Sequence, residues 1–297
     1  MAVAATGFFD GVHLGHRQVI DRMTSIARSV AEESVIITFW PHPRSVLQMD
    51  ADKLRLLTTL DEKKARCLAC GADRFEVVPF SRDFSRLSAA QFVKEYLVGR
   101  YGVSTLVIGY DHRLGHDSFS SPEEMARVVE GCGVRAVMAD EYRQGGTAVS
   151  STIIRNAVSE GNVQLAEMML GYRYSLTGVV VAGNRLGRTI GFPTANMQLY
   201  EPLKLIPGNG VYAVYAHTLG HRYKGICNIG VRPTVGSGNS RTVETHLLDF
   251  NQDIYGLDIK VEFVSRLRDE MKFSCLDQLK SQLVKDREKA LVNCFDE

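Results

Sequence analysis

The sequence predicts an α/β fold in two parts: a parallel sheet covered by helices, then a small antiparallel β-barrel closed by a C-terminal helix. Three observations carry this. Short apolar runs alternate with amphipathic stretches in the first half, the pattern of strand, crossover helix and strand. Period-two strands separated by Gly, Pro and Asn clusters follow, with little helix between them. The length, 297 residues, exceeds that of one typical domain. The texture changes near Gly171 and Tyr172, which predicts domains at 1–171 and 172–297.

In the first part, Ala2 to Ala5, Val35 to Phe39, Phe75 to Val78, Thr105 to Ile108 and Val134 to Met138 read as strands. Between the first two, Val19, Ile20, Met23, Ile26, Ala27 and Val30 recur at helical spacing and form one apolar stripe. Ser88 with Gln91, and Ser121 with Pro122 and Glu124, mark two further helix starts by their capping chemistry. In the second part the strands are Leu176 to Val181, Val211 to His217, Tyr223 to Ile229, Val243 to Phe250 and Ile259 to Val264. Ile259, Val261 and Phe263 alternate with Lys260 and Glu262, as a half-buried barrel strand requires. Phe273 to Val292 reads as the closing helix, with Leu276, Leu279, Leu283, Ala290 and Leu291 turned inward.

Composition excludes several classes. Hydrophobic residues at 45% and charged residues at 23% are globular usage, not that of a disordered or disulfide-scaffold chain. Lys and Arg (35) nearly balance Asp and Glu (34), so no overall field would hold nucleic acid or an anionic membrane. No apolar run approaches the roughly 18 residues of a transmembrane helix, and the N-terminus lacks the basic and apolar regions of a signal peptide. A cytoplasmic location is therefore expected, with small-molecule partners, no nucleic acid and no membrane. Cys67 and Cys70 form a C-x-x-C with no second pair to complete a zinc site, and read as partly buried helix thiols.

Three segments carry chemistry. Gly7-Phe8-Phe9-Asp10-Gly11-Val12-His13-Leu14-Gly15-His16 lies between the first strand and the first helix, where ligands bind in open α/β sheets. Glycines 7, 11 and 15 permit close backbone approach, the helix N-terminus favours an anion, and two imidazoles add directed donors without a Walker lysine. This suits the α-phosphate of a nucleotide; histidines that only cap a turn are the competing reading. Ser150-Ser151-Thr152-Ile153-Ile154-Arg155 starts a helix with Ser151 and Arg155 on one face, able to grip phosphates or simply to cap. Gly183 to Asn196 has a glycine at every fourth position to Gly191, then Thr194 and Asn196. Its amides could approach phosphate, and its hydroxyl and amide oxygens are hard ligands suited to Mg²⁺; a glycine-rich hairpin is the alternative.

G-F-F-D-G-V-H-L-G-H, F-W-P-H-P at Phe39 to Pro43 and S-S-T-I-I-R together resemble the FMN adenylyltransferase domain of bacterial bifunctional riboflavin kinase/FAD synthetases. G-R-T-I-G-F-P-T-A-N, N-I-G-V-R-P-T from Asn228 and T-V-E-T-H from Thr242 resemble the riboflavin kinase barrel of the same family. The resemblance implies a Rossmann-like nucleotidyltransferase domain followed by the kinase barrel. It implies a flavin-binding enzyme that phosphorylates riboflavin to FMN and adenylylates FMN to FAD, with ATP as co-substrate and Mg²⁺ at both steps. His13, His16 and Arg155 would be catalytic in the first domain, with Gly7, Asp10, Gly15, Asp111, Ser151 and Thr152 around the nucleotide and flavin. In the second, Glu244 would be the general base, with Gly183, Arg188, Gly191, Thr194 and Asn196 around Mg-ATP and the metal held by Thr194 and Asn196. Leu114 stands where the family usually has Phe, at a position tied to flavin stacking. Arg268 to Phe273 resembles the family's lead into its last helix, although a solvated charge run also explains it. A kinase with an impaired first domain, and a flavin-binding protein without turnover, remain the rival readings.

Overall fold

The computed structural model describes residues 1–47, 54–110, 112–183, 186–233 and 239–295, arranged as two compact units, Met1–Ser151 and Thr152–Glu297.

The first unit runs β1 (Ala2–Thr6), α1 (Leu14–Val30), β2 (Glu33–Trp40), α2 (Pro43–Val46), α3 (Leu60–Ala69), β3 (Arg74–Pro79), α4 (Ala89–Phe92), β4 (Val103–Ile108), α5 (Pro122–Glu130) and β5 (Arg135–Met138). A short hairpin of β6 (Arg143–Gln144) and β7 (Thr147–Ala148) follows. The five-stranded sheet is parallel in the order β3-β2-β1-β4-β5, and its strands match the five predicted segments, β5 starting one residue later at Arg135. Because β1 is flanked by β2 and β4, connections leave it on both sides, and the chain beyond Thr6 enters the crevice where such sheets bind ligands.

The strands are apolar on both faces because both are covered. Ala4, Val35, Ile37, Leu106 and Ile108 pack into one cluster, Val3, Ala5, Ile36 and Val107 into the other. Helix α1 buries Val19, Ile20, Met23 and Ala27 as its stripe predicts, but Val30 at the last turn is exposed. Both capping signals are realised: Ser88 and Gln91 close a reciprocal box, and Ser121 accepts the Glu124 amide with Pro122 behind it. Leu114 is 2% exposed among the residues around Phe92. Its departure from Phe is therefore a change of core packing rather than of an open loop.

The second unit takes up α6 (Ser151–Ser159) and α7 (Val163–Leu170), which precede the predicted boundary at 171/172. The Gly208 amide donates to Val158 at 2.9 Å and α7 packs on a barrel strand, so these helices cohere with the barrel although their texture is that of the first half. Gly171, in the left-handed conformation, ends α7. Then come β8 (Ser175–Val181), α8 (Leu186–Thr189), β9 (Ala195–Leu199), β10 (Gly210–Thr218), β11 (His221–Pro233), β12 (Asn239–Leu247), β13 (Asp258–Arg268) and α9 (Leu276–Asn293).

The strands close a barrel in the order β10-β11-β12-β9-β8-β13. Ile259, Val261 and Phe263 are buried as the alternation predicts, while Lys260 and Glu262 pair at 2.6 Å on the other face. β9 was not foreseen as a strand, because its residues belong to a motif read for chemistry. In α9, Ala290 is buried, whereas Leu276 and Leu291 are exposed, a correction to the inward set. The helix instead buries a charge, Asp286, which receives a forked ion pair from Arg268.

Candidate functional sites

The loop after β1 is held by its own side chains. His13 caps α1, its Nδ1 accepting the His16 amide at 3.3 Å, and the two imidazoles stack with centroids 3.6 Å apart. Gly15 is glycine for space: a Cβ there would press on the His13 ring at 3.2 Å. Gly11 has φ of +83°, and Phe9 and Val12 also take positive φ, so backbone strain concentrates in this turn. Burial first, then repulsion from His13 and Lys63, holds His16 well below the ordinary imidazole pKa.

The segment from Phe39 to Pro43 is brought against this loop, with the His42 ring tilted against Phe8 at 4.1 Å between centroids. Asp10, expected among the nucleotide contacts, is buried; its carboxylate accepts the Leu57 and Thr58 amides at 3.0 and 3.1 Å. Its chain-holding function explains why an acid stands in a loop otherwise suited to anions. Ser151 donates to the Asp10 carbonyl at 2.8 Å. Thr152 and Arg155 follow on α6 in the second unit, Thr152 exposed and Arg155 half-buried. Asp111 lies outside the described residues. Its neighbour His112, not singled out in the sequence, bonds through Nε2 to Thr6 Oγ1 at 3.0 Å at the end of β1.

The second site is assembled by strand register. Asn196 on β9 and Asn228 on β11 both stand opposite Glu244 on β12, so three polar side chains form a row across adjacent strands. Gly183 makes room for this row, since a Cβ there would collide with the Asn196 side chain. The segment from Leu186 forms the helical turn α8, followed by a left-handed Gly191, inside the connection between the antiparallel neighbours β8 and β9.

Two cavities meet here. One, about 670 Å³, is lined by Arg188, Gly191, Thr194, His246, Tyr255 and Arg287 among others. The other, about 270 Å³, is lined by Phe192, Asn228, Glu244, Arg268, Met271 and Phe273, with Leu279 and Leu283 from α9. Thr194 and His246 line both. Arg268 to Phe273 is therefore partly a cavity wall, not only a solvated run. His246 Nδ1 lies 2.8 Å from the Pro193 carbonyl, so Nδ1–H donates and Nε2 is left as the other ring nitrogen. Burial lowers its pKa, against the Pro193 bond. Among the described residues no group of three or more His, Cys, Asp or Glu could hold a metal ion. Burial pushes the Cys67 thiol up to about 12, an inert core position.

Comparison with known proteins agrees with both halves. Residues 1–153 match the FAD synthetase family and residues 170–293 the riboflavin kinase family. A bifunctional riboflavin kinase/FMN adenylyltransferase of Bacillus subtilis is 37% identical, covering 98% of this chain and 92% of that protein. Its Escherichia coli counterpart, also 37% identical, covers 96% and 90% respectively. A Streptococcus pneumoniae crystal structure titled as a macrolide-efflux protein superposes with a TM-score of 0.90 at 30% identity, covering 98% of this chain and 94% of that one. No helix among the described residues is long and apolar enough to cross a membrane. With two matched families in order and relatives aligned over nearly its whole length, the chain belongs to the bifunctional riboflavin kinase/FMN adenylyltransferase family.

Proposed function

We propose that the chain performs two consecutive transfers: riboflavin is phosphorylated by ATP to FMN within residues 172–297, and FMN is adenylylated by a second ATP to FAD within residues 1–171. The kinase reading is carried by two cavities that share Thr194 and His246 as a common wall. The larger has the size and basic groups for a nucleotide, and the smaller has aromatic and aliphatic walls around one carboxylate, suited to a flavin. Glu244 takes the proton of the riboflavin 5′-hydroxyl while that oxygen attacks the γ-phosphorus and ADP leaves. Thr194 and Asn196 would hold Mg²⁺, which supplies charge neutralisation at the phosphates; the room left by Gly183 keeps the Asn196 amide in place for it.

In the first half, the His13 and His16 pair lies at the helix N-terminus beyond β1, where the α-phosphate binds. The FMN phosphate oxygen attacks the α-phosphorus and pyrophosphate leaves, the imidazoles stabilising the charge that develops. Ser151, Thr152 and Arg155 hold the phosphate tail, and Arg188 and Gly191 border the kinase nucleotide. Balanced charge and the absence of a long apolar helix among the described residues support a cytoplasmic enzyme of small molecules that engages neither nucleic acid nor membrane. The test incubates the purified chain with riboflavin, ATP and Mg²⁺ and separates the flavins over time. FMN followed by FAD is expected. FMN alone, with supplied FMN left unconverted, would reduce the chain to a kinase, and binding without turnover would make it a carrier.

A further inference from the structure

The loop has no lysine of its own, but one from elsewhere in the chain is brought against it. Asp10 fixes Leu57 and Thr58, and the Gly11 amide donates to Thr58 Oγ1 at 3.0 Å, so the segment entering α3 is tied to the loop on two sides. Thr59 and Glu62 then close a full capping box that starts α3 at a defined residue. Four residues into the helix comes Lys63, 2% exposed, with Nζ 5.1 Å from the centroid of the Phe8 ring in the same loop. Among the described residues its ammonium has no hydrogen bond or ion pair.

A lysine buried to this degree without a bonded counter-charge is rare in a fold. Asp10 draws on it electrostatically, yet the carboxylate's bonds go to Leu57 and Thr58. We propose that Lys63 is a polyphosphate-recognising residue of the adenylyl-transfer site, its ammonium supplying the positive charge that the Gly7 to His16 loop lacks. The ligand class is the triphosphate of ATP in one direction and pyrophosphate in the other. This rests on the assignment of the His13 and His16 loop as that site. Burial lowers the lysine's pKa, with Asp10 opposing, and a polyanion beside the ammonium would favour its charged form. The same ammonium raises the cost of protonating His16, keeping that imidazole neutral beside the phosphates.

The experiment is Lys63→Met in the full chain, with FAD formation measured against ATP, the reverse reaction measured against pyrophosphate, and FMN formation as the control for an intact second half. The expected result is a loss of about 10- to 100-fold in kcat/KM for both ATP and pyrophosphate, the scale of a charged hydrogen bond, with the KM for FMN changed less than threefold. Unchanged ATP and pyrophosphate kinetics overturn the proposal and leave Lys63 as a structural counter-charge to Asp10. Should Lys63→Met unfold the first half, Asp10→Asn/Lys63→Met removes both buried charges. That variant is then expected to lose the same factor relative to Asp10→Asn, and parity overturns the proposal. His16→Ala separates the underlying assignment: FAD formation that survives it overturns the loop as the site, whatever Lys63 does.

Discussion

The two sites differ in how the chain builds them. The first is nearly contiguous: ten residues cap, stack and strain against one another, and later segments are fastened to them. The second is spread along the chain: Asn196, Asn228 and Glu244 come from three strands and meet because register places them in a row, with Gly183 leaving room for Asn196. A contiguous site fails when one of its own side chains is lost, whereas a registered site also fails when its scaffold shifts.

The largest expected effects test whether the sites are separate at all. His16→Ala should lower FAD formation by about 100-fold or more while leaving FMN formation intact, and Glu244→Gln should lower FMN formation by about 100-fold or more while FAD still forms from supplied FMN. Chromatographic rates for both steps on both variants read this directly. A folded variant that lost both steps would break the comparison.

Next comes the scaffold. Gly183→Ala places a methyl in the volume of the Asn196 side chain and touches no reacting atom. FMN formation should fall by about 10- to 100-fold, as displacement of a positioned group does, with FAD formation from FMN unchanged. Equal kinase rates in Gly183→Ala and the parent chain would show that register does not position Asn196.

These expectations also mark what was legible in the sequence. The parallel sheet, the caps at Ser88 and Ser121 and the histidine pair were readable because each is a local pattern: an apolar run, a spacing of three, a glycine beside a ring. The chain-holding bonds of Asp10 are not legible, because its partners, Leu57 and Thr58, lie far along the chain and no local spacing announces them. Lys63 was invisible for the same reason, since one lysine among helix charges reads as solvated until tertiary structure buries it. Asn228 and Arg268 stood in recognised motifs without a role, and only strand pairing and the packing of α9 turn them toward a cavity. Leu276 and Leu291 failed differently, because helical periodicity does not see that the helix spends its inward face on Asp286.

That buried acid gives a smaller effect, on stability rather than chemistry. Arg268 donates to both Asp286 oxygens at 2.7 to 3.0 Å, and Gln282 adds a bond at 2.9 Å. Asp286→Ala leaves the guanidinium uncompensated beneath α9, and should destabilise the second half by about 3 kcal/mol. Denaturant unfolding followed at the barrel would show it as a lower midpoint, with the first half unaffected. A midpoint unchanged in Asp286→Ala would show that α9 is held by its apolar contacts alone.

The smallest effect is shared by both halves and differs only in its acid limit. In each, a half-buried imidazole has its pKa lowered in the fold: His16 by burial, His13 and Lys63, and His246 chiefly by burial, with Arg287 adding to it and Pro193 and Asp249 opposing. Unfolding returns both toward the ordinary value of 6.5, so below that pH the unfolded chain binds more protons than the folded one. The stability these neutral rings confer is present above about 6.5 and declines as pH falls toward their folded values. His16, held well below 6.5, should keep losing stability further into acid than His246. Thermal melts of His16→Gln and His246→Gln between neutral and mildly acidic pH measure this, since each substitution removes one proton site. Each variant should flatten the pH dependence of its own half, His16→Gln over the wider range; a slope left unchanged in either would mean that its imidazole is already charged in the fold.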